Sequence, residues 1–332
     1  MLHLALFSRT ATASALSTPP AALYELDPTW TPTVPASLAA SITGVSSAAV
    51  LGDSIFVGQR GAAPPLIVLD RTSGAFKGTY GSGTISKMHG LKVAVNGAAA
   101  GGYELWATDC KASALVAYSI DTATGALKEI ETVGTHGTGG KSSGEIEFGS
   151  VADLASDPSG TSIFVSDGDG GCNARVMQLQ RMSIGGSNNS VWKETWINGN
   201  NGTMASPALD VKWSSPHSLA YDPAGKVVYV ADRNAQTVVA LDSETGKALD
   251  GNWSLKECLA PSFAGDASTL GVWSIRIANG HAFVGVGALK NATLFDGHIA
   301  VIPLPSKTKT NSKGLQIICF IYISVSLNTS LI

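Results

Sequence analysis

Charge is in short supply in this chain. Only 14% of its residues are charged, and the formal net charge is −3. That excludes a nucleic-acid partner, because phosphate binding needs a basic stripe that displaces counterions. Helix signals are sparse as well: the Ala-rich piece from Ala36 to Ala49 is interrupted by Ser, Thr and Gly. The cysteines are Cys110, Cys172, Cys258 and Cys319; they form no C-x-x-C pair of the metal-binding kind, and fit either one disulfide or none. The apolar stretch from Leu315 to Leu327 is shorter than the roughly 20 residues a membrane helix needs, so no membrane span is predicted. What is abundant is glycine, 37 residues, together with Ser, Thr and short apolar runs. That composition fits many short strands joined by tight turns. The length allows one large all-β domain or two ordinary ones.

The two ends differ from the middle. Met1 to Ala15 has no acidic residue, a brief apolar run at Leu4 to Phe7, and small residues at Ala11, Ala13 and Ala15. This is the pattern of a degraded signal peptide, with Arg9 after the apolar run rather than before it. N-x-S/T sequons stand at Asn188, Asn201, Asn252, Asn291 and Asn328. Together these favour a secreted glycoprotein. At the other end a polar spacer, Ser306 to Lys313, precedes the apolar stretch. Because Asn328, Thr329 and Ser330 follow that stretch, it reads as a foreign or mis-spliced tail rather than a lipid-anchor signal. The expected division is an N-terminal segment over 1–47, a repeat domain over 48–305, and an aberrant tail over 306–332.

The middle is organised by a repeat. VADLASDPSGTSIFVSDG from Val151 matches HSLAYDPAGKVVYVADRN from His217. Each has a short apolar strand, an Asp-Pro-x-Gly turn, and a β-branched strand ending at Asp167 or Asp232. Gly160 and Gly225 are expected to take the positive φ of the turn. A third copy runs from His89 to Asp109 with a longer glycine-rich turn, and weaker copies run from Ala48 to Gln59 and from Val272 to Gly285. Further apolar alternation follows the three better copies, at Ala114, Arg175 and Thr237. Each unit therefore reads as three or four antiparallel strands that must stack on its neighbours around an axis. The prediction is an all-β propeller with about five recognisable blades and the last blade missing or incomplete. Gly134 to Phe148 and Gly185 to Ser215 are expected to be inter-blade loops. Asp109, Asp167 and Asp232 mark one repeated place and are read as structural, capping turns through side-chain to backbone bonds.

At these residues the chain resembles a known family. SPHSLAYDPAGKVVYVADRN, FGSVADLASDPSGTSIFVSDGDGGCNARVMQL, KMHGLKVAV and VGQRG are similar, in order and spacing, to segments of the peptidyl-α-hydroxyglycine α-amidating lyases. The resemblance spans roughly Val50 to Pro303. It implies a six-bladed NHL-type propeller that cleaves a C-terminal hydroxyglycine to a peptide amide and glyoxylate. It also implies zinc on three histidines from three blades, a catalytic tyrosine and arginines, with calcium as a further ion.

Carried over residue by residue, the resemblance assigns His89 and His217 as metal ligands and Arg60 and Arg233 as catalytic arginines. Imidazoles converging on a propeller axis could hold Zn²⁺ at ~2.0–2.1 Å; the alternative is that each packs in the channel and bonds to backbone. A guanidinium near the channel would grip the substrate carboxylate bidentately; its alternative is an inter-blade ion pair. The family's third histidine, in a Pro-His-Asp segment, has no counterpart, and His281 and His298 are poor substitutes. The family tyrosine is also missing: its segment reads Asp167-Gly168-Asp169-Gly170-Gly171-Cys172-Asn173. Asp169 could stand in for the phenol, but a plain glycine-rich turn is the preferred reading. Cys172 matches a family disulfide cysteine whose partner position is Gly149; Cys172 with Cys110 is the remaining pairing. GTHGTGGKSS, from Gly134 to Ser143, looks like a phosphate-binding loop but has the wrong spacing and no following helix. Two functions compete: a zinc-dependent lyase, and a non-catalytic propeller that binds a peptide or protein partner.

Overall fold

The computed structural model describes residues 30–96, 102–137, 146–183, 190–200, 211–250, 253–255, 270–288 and 298–304. These fold as five blades of antiparallel sheet, each with its strands in chain order. The first blade holds β1 (Val45–Leu51), β2 (Ser54–Gln59), β3 (Leu66–Asp70) and β4 (Phe76–Tyr80). The second holds β5 (Met88–Val95), β6 (Tyr103–Asp109), β7 (Ala114–Ile120) and β8 (Leu127–Val133). A short parallel pair, β9 (Thr135–His136) and β10 (Glu147–Phe148), leads onward. The third blade holds β11 (Val151–Ser156), β12 (Ser162–Asp167), β13 (Ala174–Ser183) and β14 (Ser190–Asn200). The fourth holds β15 (Pro216–Asp222), β16 (Val227–Asp232), β17 (Thr237–Asp242) and β18 (Trp253–Ser254). The fifth holds β19 (Leu270–Ala278), β20 (His281–Ala288) and β21 (His298–Pro303).

The five-blade reading and the all-β class hold. The innermost strands touch in the order β1, β5, β11, β15, β19, so they line the axis. Among the described residues no comparably extensive contact joins β19 to β1. The first and last 29 and 28 residues of the chain, with the signal-like segment and the apolar tail, lie outside the described residues.

Blades cohere because each sheet offers an apolar face to the next. Phe56, Leu66 and Val68 of the first blade pack on Leu91, Leu105 and Val116 of the second. Trp106 and Leu115 pack on Leu154, Val165 and Met177 of the third. Phe164 and Val176 pack on Leu219, Val230 and Val239 of the fourth. Tyr229 and Val238 pack on Val272, Ile275 and Val284 of the fifth. A strand buried on both sides this way reads as a continuous apolar run, as ALVAY and VVYVA do. The other face of the first blade is covered by Trp30, Val34 and Ile42.

Two expectations need correcting. The segment Gly185 to Ser215 is not only a loop: β14 lies within it and pairs with β13. Its VWKETWI alternation carries the signal, with Trp192 buried and Lys193 to Thr195 exposed. Gly160 does take positive φ, at 68°, but in the equivalent turn the left-handed residue is Lys226, at 55°, not Gly225. The reason is register: Asp222 pairs directly with Val227, closing a four-residue loop whose last position is left-handed. Gly225 is needed there for space, since a Cβ on it would stand 2.6 Å from the Asp222 carboxylate.

Candidate metal centre

All five innermost strands bulge at the same place. The register slips between Val45 and Ser47, Met88 and Leu91, Val151 and Asp153, Pro216 and Ser218, and Val272 and Ser274. A bulge leaves one residue out of the ladder and re-aims its side chain. The residues so placed are Ser46, His89 with Gly90, Ala152, His217 and Trp273. Both predicted ligands therefore occupy one structural position, in the second and fourth blades.

The bulges are held by the repeated aspartates. Asp167 accepts from Gly149 N and Ser150 N at 2.8 Å each. Asp232 accepts from Ser214 N at 2.8 Å and Ser215 N at 2.7 Å. Asp109 accepts from Ser86 N and Lys87 N. Each carboxylate ties the end of the second strand to the chain entering the first, as the capping reading requires. Asp167 is also paired with the fully buried Arg175 at 3.0 Å.

His89 and His217 come together, with ring centroids 4.7 Å apart. Asp169 stands between them. Its Oδ2 is 3.0 Å from His89 Nε2 and its Oδ1 is 3.9 Å from His217 Nε2. The loop that carries it is pinned by Asp169 N donating to Ser150 O at 3.2 Å, and by Ser150 Oγ donating to Asp169 O at 3.0 Å. Its glycines are needed for close approach: a Cβ on Gly168 would lie 2.5 Å from the Pro216 ring, and one on Gly171 2.6 Å from the Gly149 backbone. The plain-turn reading of this loop was therefore too modest, since the turn delivers a carboxylate to two imidazoles. Sequence held one signal for it, an acid at the place where the resemblance expects a functional residue.

Arg233 reaches the same carboxylate, Nη1 to Asp169 Oδ1, at 2.6 Å, and its guanidinium lies 5.0 Å from the Trp273 ring centroid. Trp273 was not foreseen, although VWSI aligns with PHSL. Its carbonyl is 2.8 Å from His217 Nδ1. A carbonyl can only accept, so Nδ1 carries the proton and Nε2 keeps its lone pair. Nε2 is buried and has no hydrogen-bond partner among the described residues. Arg60 is placed differently. It is exposed, and its Nε donates to Met88 O at 2.9 Å, bracing the strand at the entry to His89. His281 sits in the outer hairpin turn, its Nδ1 2.9 Å from Asn279 O, away from this cluster.

The electrostatics follow the geometry. Burial pushes the His217 imidazole down to about 4, helped by the neighbouring His89 and opposed by Asp169. Burial alone would raise the Asp169 carboxyl. His89, then His217 and Arg233, outweigh it and hold the group well below the usual carboxylate range. His89, Asp169 and His217 offer one ligand atom each, all within 4.8 Å of one another. Ligands around tetrahedral Zn²⁺ stand about 3.3 Å apart; His89 Nε2 and Asp169 Oδ2, at 3.0 Å, are near that spacing, while His217 Nε2, 3.9 Å from the other carboxylate oxygen, would have to close in around an ion. Two imidazoles and a carboxylate are a zinc donor set, and His217 Nε2 is buried without a hydrogen-bond partner among the described residues. The residues fit such an ion.

The two described cysteines do not pair: Cys110 is buried, Cys172 is exposed, and both are free. The Cys172 sulfur lies 3.0 Å from where a Cβ on Gly149 would stand, so these two positions face one another as the resemblance implies. Cys258, Cys319 and the larger part of the GTHGTGGKSS segment lie outside the described residues, and no helix among the described residues is long and apolar enough to cross a membrane.

No family model matches the chain. It is 30% identical over 234 residues to NHL repeat-containing protein 3 of Homo sapiens, which covers 70% of this chain and 60% of that protein. The chain thus spans about 60% of the length of the relative it matches. Among solved structures, a protein from Lactobacillus plantarum shares the fold with a TM-score of 0.50 at 13% identity, covering 85% of this chain and 72% of that one. With five antiparallel blades around one axis, these similarities support a β-propeller of NHL type.

Proposed function

We propose that this propeller binds Zn²⁺ on His89, His217 and Asp169 and acts as a lyase on peptides ending in α-hydroxyglycine. The observation that carries the reading is the Asp169 carboxylate lying between two imidazoles from different blades. When bound, the ion would act as a Lewis acid on the substrate hydroxyl. The chain's own residues do the rest. His217 offers Nε2 because Trp273 O fixes the proton on Nδ1. Arg233, now on Asp169, is the cation nearest to a substrate carboxylate and can grip it bidentately. Arg60 holds the backbone beside His89 and acts as a positioning residue. Without the family tyrosine, and with Asp169 committed to the ion, proton removal is left to solvent, a weaker base than a positioned side chain. Turnover is accordingly expected to be slow.

One observation favours the second reading, a non-catalytic propeller that binds a peptide. Asp169 is already satisfied by His89 and Arg233 without any ion. The test is zinc content by mass spectrometry together with glyoxylate release from a peptidyl-α-hydroxyglycine. The lyase reading expects near-stoichiometric zinc and glyoxylate release that His217→Ala abolishes. Zinc without glyoxylate would leave the binding propeller. Absence of zinc would sink the metal centre.

A further inference from the structure

A second polar cluster lies on the innermost strands and plays no part in the centre above. Lys92 of β5, Asp153 of β11, Ser218 of β15 and Arg276 of β19 meet around a single carboxylate oxygen. Asp153 Oδ2 accepts from Ser218 Oγ at 2.6 Å and from Leu219 N at 3.3 Å. The same oxygen lies 3.5 Å from Lys92 Nζ and 3.4 Å from Arg276 Nη1. Asp153 Oδ1 is buried with no partner among the described residues. Two cations therefore share one carboxylate, and on one oxygen only.

Lys92 has the worse share. An ammonium has three hydrogens to place, and among the described residues Nζ finds Asp153 Oδ2 at 3.5 Å and Leu219 O at 3.3 Å. Arg276 cannot give up its proton, so the group that relieves the excess positive charge is the lysine. Burial first, and then the Arg276 charge, bring the Lys92 amine down to about 7, against the opposing pull of Asp153. These are the charged groups that face it; β1 contributes none, and β15 brings the Ser218 hydroxyl and the Leu219 carbonyl. The cluster is reachable from one side, since the Lys92 side chain is 15% exposed and that of Arg276 is 42% exposed. Among the described residues Arg276 uses only Nη1, which leaves Nε and Nη2 for a ligand.

The geometry points to Lys92 as a reactive amine that forms an imine with a small carbonyl compound bearing a carboxylate, such as a 2-oxo acid. The neutral amine attacks the carbonyl carbon, forming the C–N bond as the carbonyl π pair passes to oxygen. The nitrogen loses a proton and the oxygen takes one, giving a neutral carbinolamine whose hydroxyl takes a second proton from solvent. Water then leaves with the C–O bonding pair and the iminium remains, so that one proton is consumed for each water released. Arg276 holds the carboxylate. This assignment does not rest on the lyase reading.

The test uses the full chain with pyruvate and cyanoborohydride, which supplies the hydride that fixes the adduct, followed by peptide mass mapping. Lys92 should label at least about ten-fold faster at neutral pH than the exposed Lys111, Lys128 and Lys193. Its rate should level off above about pH 7 while theirs keep rising with the free amine fraction. Because Arg276→Met also removes a charge that favours the neutral amine, the two probes are compared as a ratio: the variant should lower pyruvate labelling relative to propanal labelling about ten-fold. The wild-type profile does not depend on any variant folding. If Lys92 labels no faster than the exposed lysines, or if its rate climbs with pH as theirs do, the reactive amine is overturned. If Arg276→Met slows both probes alike or neither, the carboxylate assignment is overturned.

Discussion

Two carboxylates face the axis of this propeller, and they are held in opposite ways. Asp153 sits on a strand, 6% exposed, with donors from three other blades. Asp169 sits on a glycine-rich loop, 18% exposed, with two imidazoles and a guanidinium around it. The first is enclosed by groups that the sheets fix. The second is carried by a loop to two imidazoles that the strands hold and to the Arg233 guanidinium. Strand-borne charge serves the ring, and loop-borne charge is available for exchange.

The largest expected effect breaks the first of these. Asp153→Ala leaves the Ser218 hydroxyl and the Leu219 N–H without an acceptor and Lys92 without a counter-charge, and each buried group so orphaned costs about 1–3 kcal/mol. Urea unfolding should show the combined loss. A loss no greater than that of Asp169→Ala would erase the distinction between the two carboxylates.

Zinc should come next. At about 100 times the dissociation constant, an ion that binds only the folded chain stabilises it by about 2.7 kcal/mol. Thermal melts with and without zinc should show a clear upward shift in the wild type and none in Asp169→Asn. An equal shift in the variant would mean that the ion sits elsewhere.

Acid titration should reveal His217 with an effect of about 3 kcal/mol, comparable with that of zinc and equal to the linkage value of its displaced pKa. Folding lowers this pKa to about 4. The unfolded chain therefore binds a proton that the folded chain refuses. The stabilising contribution is complete above about pH 6.5, falls away as the pH drops toward 4, and changes no further below that. Replacing His217 with Gln should flatten the melting temperature across this window. A slope that survives the substitution would have to be carried by another group.

The smallest effect belongs to Asp169 itself. With no ion present, Asp169→Ala removes partly exposed ion pairs, and about 1 kcal/mol or less is expected in denaturant. A much larger loss would mean that the loop is structural after all, and that the carboxylate is not free to change partners.

The fold was legible because its signals are local. Asp-Pro-x-Gly turns and the Asp at the end of β6, β12 and β16 recur in the chain itself; the aspartates and the hairpins fall where their spacing implied, although in the second turn the left-handed residue is Lys226 and not Gly225. His89 and His217 were legible as a pair for the same reason, since they stand at one repeated position. The residues that complete the two clusters were not. Asp169 reaches the histidines only through a loop whose course depends on Gly168 and Gly171 packing against other segments. Lys92, Asp153 and Arg276 come from three blades, and nothing in the order of residues says that their side chains meet. β14 was overlooked because a long glycine-containing segment conceals a strand whose bulge, between Gln178 and Leu179, interrupts the pairing. Arg60, grouped with Arg233 by resemblance alone, braces backbone instead.

The bulge repeated in every innermost strand has a consequence for how such a protein could change. Ser46, His89, Ala152, His217 and Trp273 occupy one site five times over, each outside the ladder of its own sheet. A replacement at any of them leaves the backbone pairing of its blade untouched. Chemistry at the axis can therefore be rewritten one blade at a time. Ala152 holds the same position in the blade between the two histidines, and because it is fully buried a larger side chain there would have to displace its neighbours.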